Sequence, residues 1–143
     1  MRLLDANLLV YAHDASAPEH AAARAWFERL LNNPARVALP WPSLLAFVRL
    51  VANPLVVRAP VPPAEAWARA TEWLTRDQVW IPLPGPQHAL ILGRLLATPG
   101  ISSRLVPDAH LAALAIEYGL RLCSTDGDFA KFPDLTWENP LAA

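Results

Sequence analysis

Short apolar runs alternate with longer segments of helical period along the whole chain, and that alternation leaves few folds open. Arg2–Leu4, Arg36–Leu39, Val79–Leu83 and Leu120–Thr125 are too short for helices and read as buried strands, with Thr136–Glu138 as a last edge strand. Between them the spacing predicts helices. Asn7 to Ala12 gives one or two turns. Ala23, Trp26, Phe27, Leu30 and Leu31 share one face of the next helix, ahead of which Ser16 and Glu19 form a capping-box pattern. Pro42 starts a helix through Leu44, Leu45, Phe47, Val48 and Val51, which Pro54 ends. Pro62 and Pro63 open another, carrying Trp67, Ala70, Trp73 and Leu74. A further helix runs from about Gln87 to Ala97, and Pro107-Asp108 opens one that closes at Gly119. Strands alternating with helices predict a three-layer α/β domain with a central, mostly parallel, four- to five-stranded sheet flanked by helices. The 143 residues suit a single domain, 1–143.

Composition narrows the function. Hydrophobic residues make up 54% and charged residues 17%, which is ordinary for a folded domain and far from a disordered one. No apolar run reaches the roughly 18 to 20 residues that a membrane span needs. The start, Met-Arg-Leu-Leu-Asp, lacks the pattern of a signal peptide, so the expected location is cytoplasmic. Cys123 is alone, which removes disulfide frameworks and cysteine-based zinc sites. The formal charge of −1 excludes a generic polyanion binder; a nucleic-acid ligand needs a local basic rim or a bridging metal. Eleven of the twelve basic residues are Arg, whose forks suit phosphate, although GC-rich coding would also explain them.

Three aspartates then fall where such a sheet gathers ligands. Asp5 ends the first apolar run, Asp126 follows the fourth strand, and Asp108 reaches the same edge from a helix N-terminus. Taken singly, each has a structural explanation, because Asp favours helix caps and turns. Asp5 is the least comfortable under it. It is wedged between Leu3-Leu4 and Leu8-Leu9, where a carboxylate costs several kcal/mol unless paired, hydrogen-bonded or metal-bound. Asn7 and a hydroxyl of Ser124 or Thr125 stand near enough in sequence to orient it. A divalent ion such as Mg2+ would relieve the repulsion among Asp5, Asp108 and Asp126, grip a phosphate oxygen and activate water. Asp128 is a further acid that could ligate or position the nucleophile. No histidine is an obvious base: His110 points about 200° away from Asp108 on a helix. His13, His20 and His88 have no partners at metal spacing, and all four are read as structural or surface residues.

These residues resemble the PIN-domain ribonucleases, and among them the VapC-type toxins of bacterial toxin–antitoxin pairs. The resemblance runs almost end to end. It begins with Leu4-Asp5-Ala6-Asn7 and Tyr11, and continues with Leu39-Pro40-Trp41-Pro42-Ser43 through Arg49 and Asn53-Pro54. It closes with Val106-Pro107-Asp108-Ala109-His110, with Ser124-Thr125-Asp126-Gly127-Asp128-Phe129, and with Phe132-Pro133. It implies a PIN-like fold and a Mg2+- or Mn2+-dependent endoribonuclease that cuts RNA and blocks translation. By that pattern Asp5 and Asp108 are metal ligands, Asp126 completes the acidic site, and Asp128 assists. Asn7 and Thr125 support the site, and Arg49 and Arg104 are candidates for guiding the RNA backbone. The implied partners are a VapB-type antitoxin and a second copy of the chain, as a homodimer. Six Trp residues fit either an apolar partner groove or a core. The chain departs from the pattern in one respect. The family usually carries another acid, commonly Glu, on the helix after the second strand, and here nothing from Arg29 to Ala64 is acidic; Pro42 and Ala46 hold the two places. That departure keeps a rival expectation open, a module of the same fold that binds RNA or an antitoxin without cutting.

Overall fold

In the computed structural model, which describes residues 1–142, β1 (Arg2–Leu4) lies in the middle of a sheet whose other strands come from far along the chain. It pairs in parallel with β2 (Val37–Ala38) on one side and β4 (Arg121–Cys123) on the other. β3 (Val79–Trp80) extends the sheet beyond β2, and β5 (Trp137–Glu138) extends it beyond β4. The order is β3-β2-β1-β4-β5 with every pair parallel, the "mostly parallel" sheet of the sequence made fully so. Consecutive side chains on a strand face opposite ways. Leu4, Val37 and Cys123 therefore join one core layer while Leu3, Ala38 and Leu122 join the other.

Helices cover both faces. The first layer is filled from α1 (Ala6–His13), α2 (His20–Leu31), α3 (Trp41–Val51) and α4 (Pro63–Leu74), which contribute Leu8, Phe27, Phe47 and Ala70. The second is filled from α5 (His88–Leu96) and α6 (Val106–Tyr118), with Ile91, Leu95, Ala112 and Leu114. A 3-10 turn, Ser103–Leu105, leads into α6, and another, Gly127–Lys131, follows β4. Among the described residues this makes the expected three layers, and no helix is long and apolar enough to cross a membrane. From β1 the chain winds outward to β2 and β3, then returns to the other side for β4 and β5. The reversal falls between β1 and β4, and the carboxyl ends of two such strands frame the crevice where α/β sheets bind ligands.

Some local expectations change. Ser16 and Glu19 form no capping box. The Ser16 N–H and hydroxyl both donate to Asp14 Oδ1, at 3.0 and 2.7 Å, so the stronger acceptor takes the hydroxyl into a turn and α2 starts at His20 without a side-chain cap. β3 stops at Trp80 because Pro82 and Pro84 cannot donate to a ladder. Of the six Trp, only Trp41 is counted as exposed; the others pack into or against the two cores, so the core reading holds for most.

Two partly buried acids fasten the layers. Glu117 near the end of α6 accepts from the Gly85 and Gln87 N–H groups, each at 2.9 Å, and so holds the start of α5. A Cβ at residue 85 would fall 2.5 Å from that carboxylate, so a side chain there would push Glu117 off its two N–H donors. On the sheet, Glu138 of β5 accepts from Arg2 Nε at 3.1 Å, Arg121 Nη1 at 3.2 Å and Cys123 Sγ at 3.4 Å. Burial pushes the Glu138 carboxyl up, but these donors outweigh it and hold it below its ordinary range. Glu138→Ala is expected to lower stability by about 1–2 kcal/mol in urea unfolding, by freeing two Arg side chains and the edge strand. An unchanged midpoint would show that the clamp contributes nothing.

Candidate active site

Asp5 stands at the carboxyl end of β1 and caps α1. Its Oδ1 accepts from the Ala6 N–H at 2.8 Å, so the structural role foreseen for it is real. Its Oδ2 is held by something the sequence left undecided. Ser124, fully buried just past β4, donates its hydroxyl to Oδ2 at 2.8 Å. In turn the Ser124 Oγ accepts from Asn7 Nδ2 and from the Asp126 N–H, both at 3.0 Å. One donation and two acceptances exhaust a serine hydroxyl. Ser124 thus fixes Asp5, Asn7 and the Asp126 backbone relative to one another across the switch point. Two further contacts brace this floor. The Trp137 indole N–H of β5 donates to the Ser124 carbonyl at 3.0 Å, and the buried Ser43 hydroxyl of α3 donates to the Leu4 carbonyl at 2.7 Å.

Asp126 starts the second 3-10 turn, its Oδ1 accepting from the Asp128 N–H at 2.9 Å. Asp128 is clasped by two cations: Arg104 Nη1 lies 2.7 Å from Oδ2 and Lys131 Nζ lies 3.0 Å from Oδ1. These partners hold the Asp128 carboxyl below its usual range, Arg104 most strongly. Asp108 sits in the first turn of α6 rather than at its cap, which is Leu105. It is partly buried and receives no hydrogen bond from the described residues, so the capping explanation does not apply to it.

The acids feel one another. Burial pushes the Asp108 carboxyl up to about 6, with the charges of Asp5, Asp126 and Asp128 adding to it and Arg104 pulling back. Burial also raises Asp5, offset in part by the Ser124 hydroxyl and the Ala6 N–H, with Asp126 adding to the rise. Among the described residues no three His, Cys, Asp or Glu side chains stand at coordinating spacing as placed. The donor chemistry nonetheless fits a hard cation: every candidate ligand is an oxygen, and Asp108 is a carboxylate among like charges with no protein donor. Between about pH 4 and pH 6 the unfolded chain has lost the Asp108 proton while the folded chain retains it. The Asp108 contribution to stability therefore falls as pH rises through that window, by about 1–2 kcal/mol once solvent screening is allowed for. Thermal melts across the window in metal-free buffer read this slope, and it should be missing in Asp108→Asn.

The structure separates the remaining candidates. Thr125 makes no hydrogen bond to an aspartate among the described residues; the supporting hydroxyl is that of its neighbour Ser124. Arg104 reaches the acidic rim, whereas Arg49 lies exposed in the last turn of α3 and pairs with none of these acids among the described residues. Pro42 and Ala46 occupy the first two turns of α3, so that wall brings no acid. The histidines are less solitary than expected: His88 Nε2 and His110 Nδ1 lie 3.0 Å apart between α5 and α6, away from the aspartates' hydrogen bonds. Lys131 and Ser43 were missed. Lys131 lies three residues past Asp128, the only signal available; Ser43 falls within the run Leu39–Arg49 that carries the family resemblance, but nothing there gave it a role.

A buried acid at the end of β1, a second beyond β4 and a third at the head of α6 define an acidic centre on an α/β scaffold. The PIN domain family profile matches residues 2–135, and the chain belongs to that family. The sequence is 40% identical over 141 residues to Ribonuclease VapC33 of Mycobacterium tuberculosis, with 99% of each chain covered. It is 37% identical over 142 residues to Ribonuclease VapC37 of the same organism, again with 99% of each covered. Among solved structures it resembles FitAB bound to an IR36 DNA fragment, with TM-score 0.70 and 20% identity over 100% of this chain and 97% of that one. It also resembles VapC20 of Mycobacterium tuberculosis, described as a Sarcin-Ricin loop cleaving toxin, with TM-score 0.66 and 18% identity over 95% and 99%. At those identities the structural likeness speaks for the fold.

Proposed function

We propose that this chain is a Mg2+-dependent endoribonuclease of the VapC type, the toxin of a toxin–antitoxin pair, and that it inhibits translation by hydrolysing RNA phosphodiester bonds. The observation that carries the reading is Asp108: a partly buried acid in the first turn of α6 that no protein donor supports and that Asp5, Asp126 and Asp128 crowd with like charge. The names of relatives that align over 99% of the chain support the substrate class.

Asp5, Asp108 and Asp126 are the residues that would hold Mg2+, or Mn2+, which supplies a polarised phosphate oxygen and a water of lowered pKa. The chain's own residues do the positioning. Ser124, itself held by Asn7, aims Asp5 and favours its ionised form against burial, and the Asp126 backbone is tied to the same hydroxyl. Arg104 places a guanidinium at the rim, where an RNA phosphate approaches. A VapB-type antitoxin is proposed as one partner, as the resemblance to VapC-type toxins implies, and a second copy of the chain as the other.

The acid-free wall of α3 favours a second reading, an RNA- or antitoxin-binding module that does not cut. Purified protein incubated with structured RNA, with Mg2+ or EDTA, beside Asp5→Asn, separates the two. Metal-dependent fragments that vanish in the variant support the nuclease. Binding without fragments, indifferent to the variant, sinks it. Mapping the 5′ ends made on induction in cells then identifies the RNA.

A further inference from the structure

We infer that the Asp128 carboxylate is an internal stand-in for an RNA phosphate: it masks a two-cation clamp, Arg104 and Lys131, which takes the RNA backbone when substrate arrives. The inference rests on the nuclease reading for the identity of the polyanion. Its geometry is independent of that reading. Each Asp128 oxygen is occupied by a different cation, Oδ2 by Arg104 at 2.7 Å and Oδ1 by Lys131 at 3.0 Å. The two cations come from separate elements, the 3-10 turn before α6 and the 3-10 turn after β4, which also lead into and out of Asp108 and Asp126. A carboxylate gripped this way presents two anionic oxygens to two donors, as a phosphodiester does.

Exposure favours exchange over permanence. The Arg104 and Lys131 side chains are 65% and 46% exposed, while that of Asp128 is only 22% exposed. The cations are therefore reachable from solvent while the acid between them is tucked behind. Ion pairs this exposed are weak and readily re-partnered. The chain also needs such a device. Its formal charge is −1 and its centre is acidic, so an approaching RNA meets repulsion unless local cations are uncovered beside the acids. Lys131 thereby becomes an RNA-positioning residue that the sequence did not suggest, and Asp128 a competitive placeholder as well as a site acid.

The clamp predicts a coupling that simple charge repulsion does not. Equilibrium binding of a short fluorescein-labelled single-stranded RNA is measured in EDTA, where no cutting occurs, with melts confirming that each variant is folded. Arg104→Gln and Lys131→Gln should each weaken binding about three- to tenfold. Asp128→Asn should tighten it by on the order of fivefold, since its removal frees both cations. That gain should vanish in the Arg104→Gln/Lys131→Gln background. Asp134→Asn, the same charge change at the opposite end of the sheet beside Met1 and Gly119, should have less than about a twofold effect. A gain from Asp128→Asn that survives without the two cations overturns the clamp, as does wild-type affinity in both single cation variants or no RNA binding at all. Cleavage with Mg2+ but no coupling leaves the nuclease and removes the clamp. Coupling without cleavage keeps the clamp and removes the nuclease.

Discussion

Asp108→Asn should give a protein that melts higher than wild type in metal-free buffer at neutral pH, yet cuts RNA on the order of a thousandfold more slowly. Both effects have one source. At pH 7 the folded chain must carry a charge at Asp108 that burial and three neighbouring acids oppose, and an amide of the same shape removes it. The gain should be about 1–2 kcal/mol and should shrink as the pH falls from 6 toward 4, because the folded wild-type carboxyl takes up its proton, and vanish below that, where the unfolded chain is protonated as well. The loss of cleavage follows because an amide is a poor ligand for a hard cation. Mg2+ should raise the melting temperature of wild type and leave that of Asp108→Asn nearly unmoved. A variant that is no more stable without metal, or that still cuts RNA at the wild-type rate, would remove Asp108 from the site.

The second large effect is expected at a residue that touches no substrate. Ser124→Ala removes a hydroxyl that makes three hydrogen bonds in full burial. It leaves the Asn7 amide and the Asp126 N–H without their acceptor and Asp5 without its side-chain donor. Orphaned buried groups of this kind cost about 2–4 kcal/mol together. Activity should fall on the order of a hundredfold from misplacement of Asp5. The activity profile should also move to higher pH, because the Asp5 carboxyl, already raised by burial, loses the Ser124 hydrogen bond that lowers it. Ser124→Thr restores the hydroxyl and should recover most of the activity, at a packing cost of about 1–2 kcal/mol. Thr125→Ala, one residue away, should behave as wild type in both assays. Equal losses at the two positions would contradict the hydrogen-bonding scheme.

That pair of neighbours shows where the sequence stops being informative. The alternation of apolar runs and helical segments was enough to place the strands, the layers and the edge on which Asp5 and Asp126 meet, because period and chain reversal are local properties. Choosing between Ser124 and Thr125 requires knowing which of two adjacent residues turns inward past β4. The parallel register that sets Leu4 beside Cys123 decides it, and register is a property of the whole sheet. Arg104 was legible as a cation near the site, but its grip on Asp128 depends on two 3-10 turns meeting in space. The His88–His110 pair was illegible for a similar reason, since it exists only because α5 and α6 lie side by side. Asp128 was recognisable as an extra acid, yet nothing in Asp-Gly-Asp announced that both its oxygens are taken.

The unsupported carboxylate at the head of α6 also bears on how such a protein is lost. Most inactivating changes carry a folding penalty, and clearance of the damaged chain accompanies the loss of activity. At residue 108 the two are opposed, so a lineage relieved of the need to cut could shed this acid and keep an abundant, well-folded descendant. Silent relatives with an intact scaffold and a neutral residue at this position are the evolutionary outcome that the electrostatics favours.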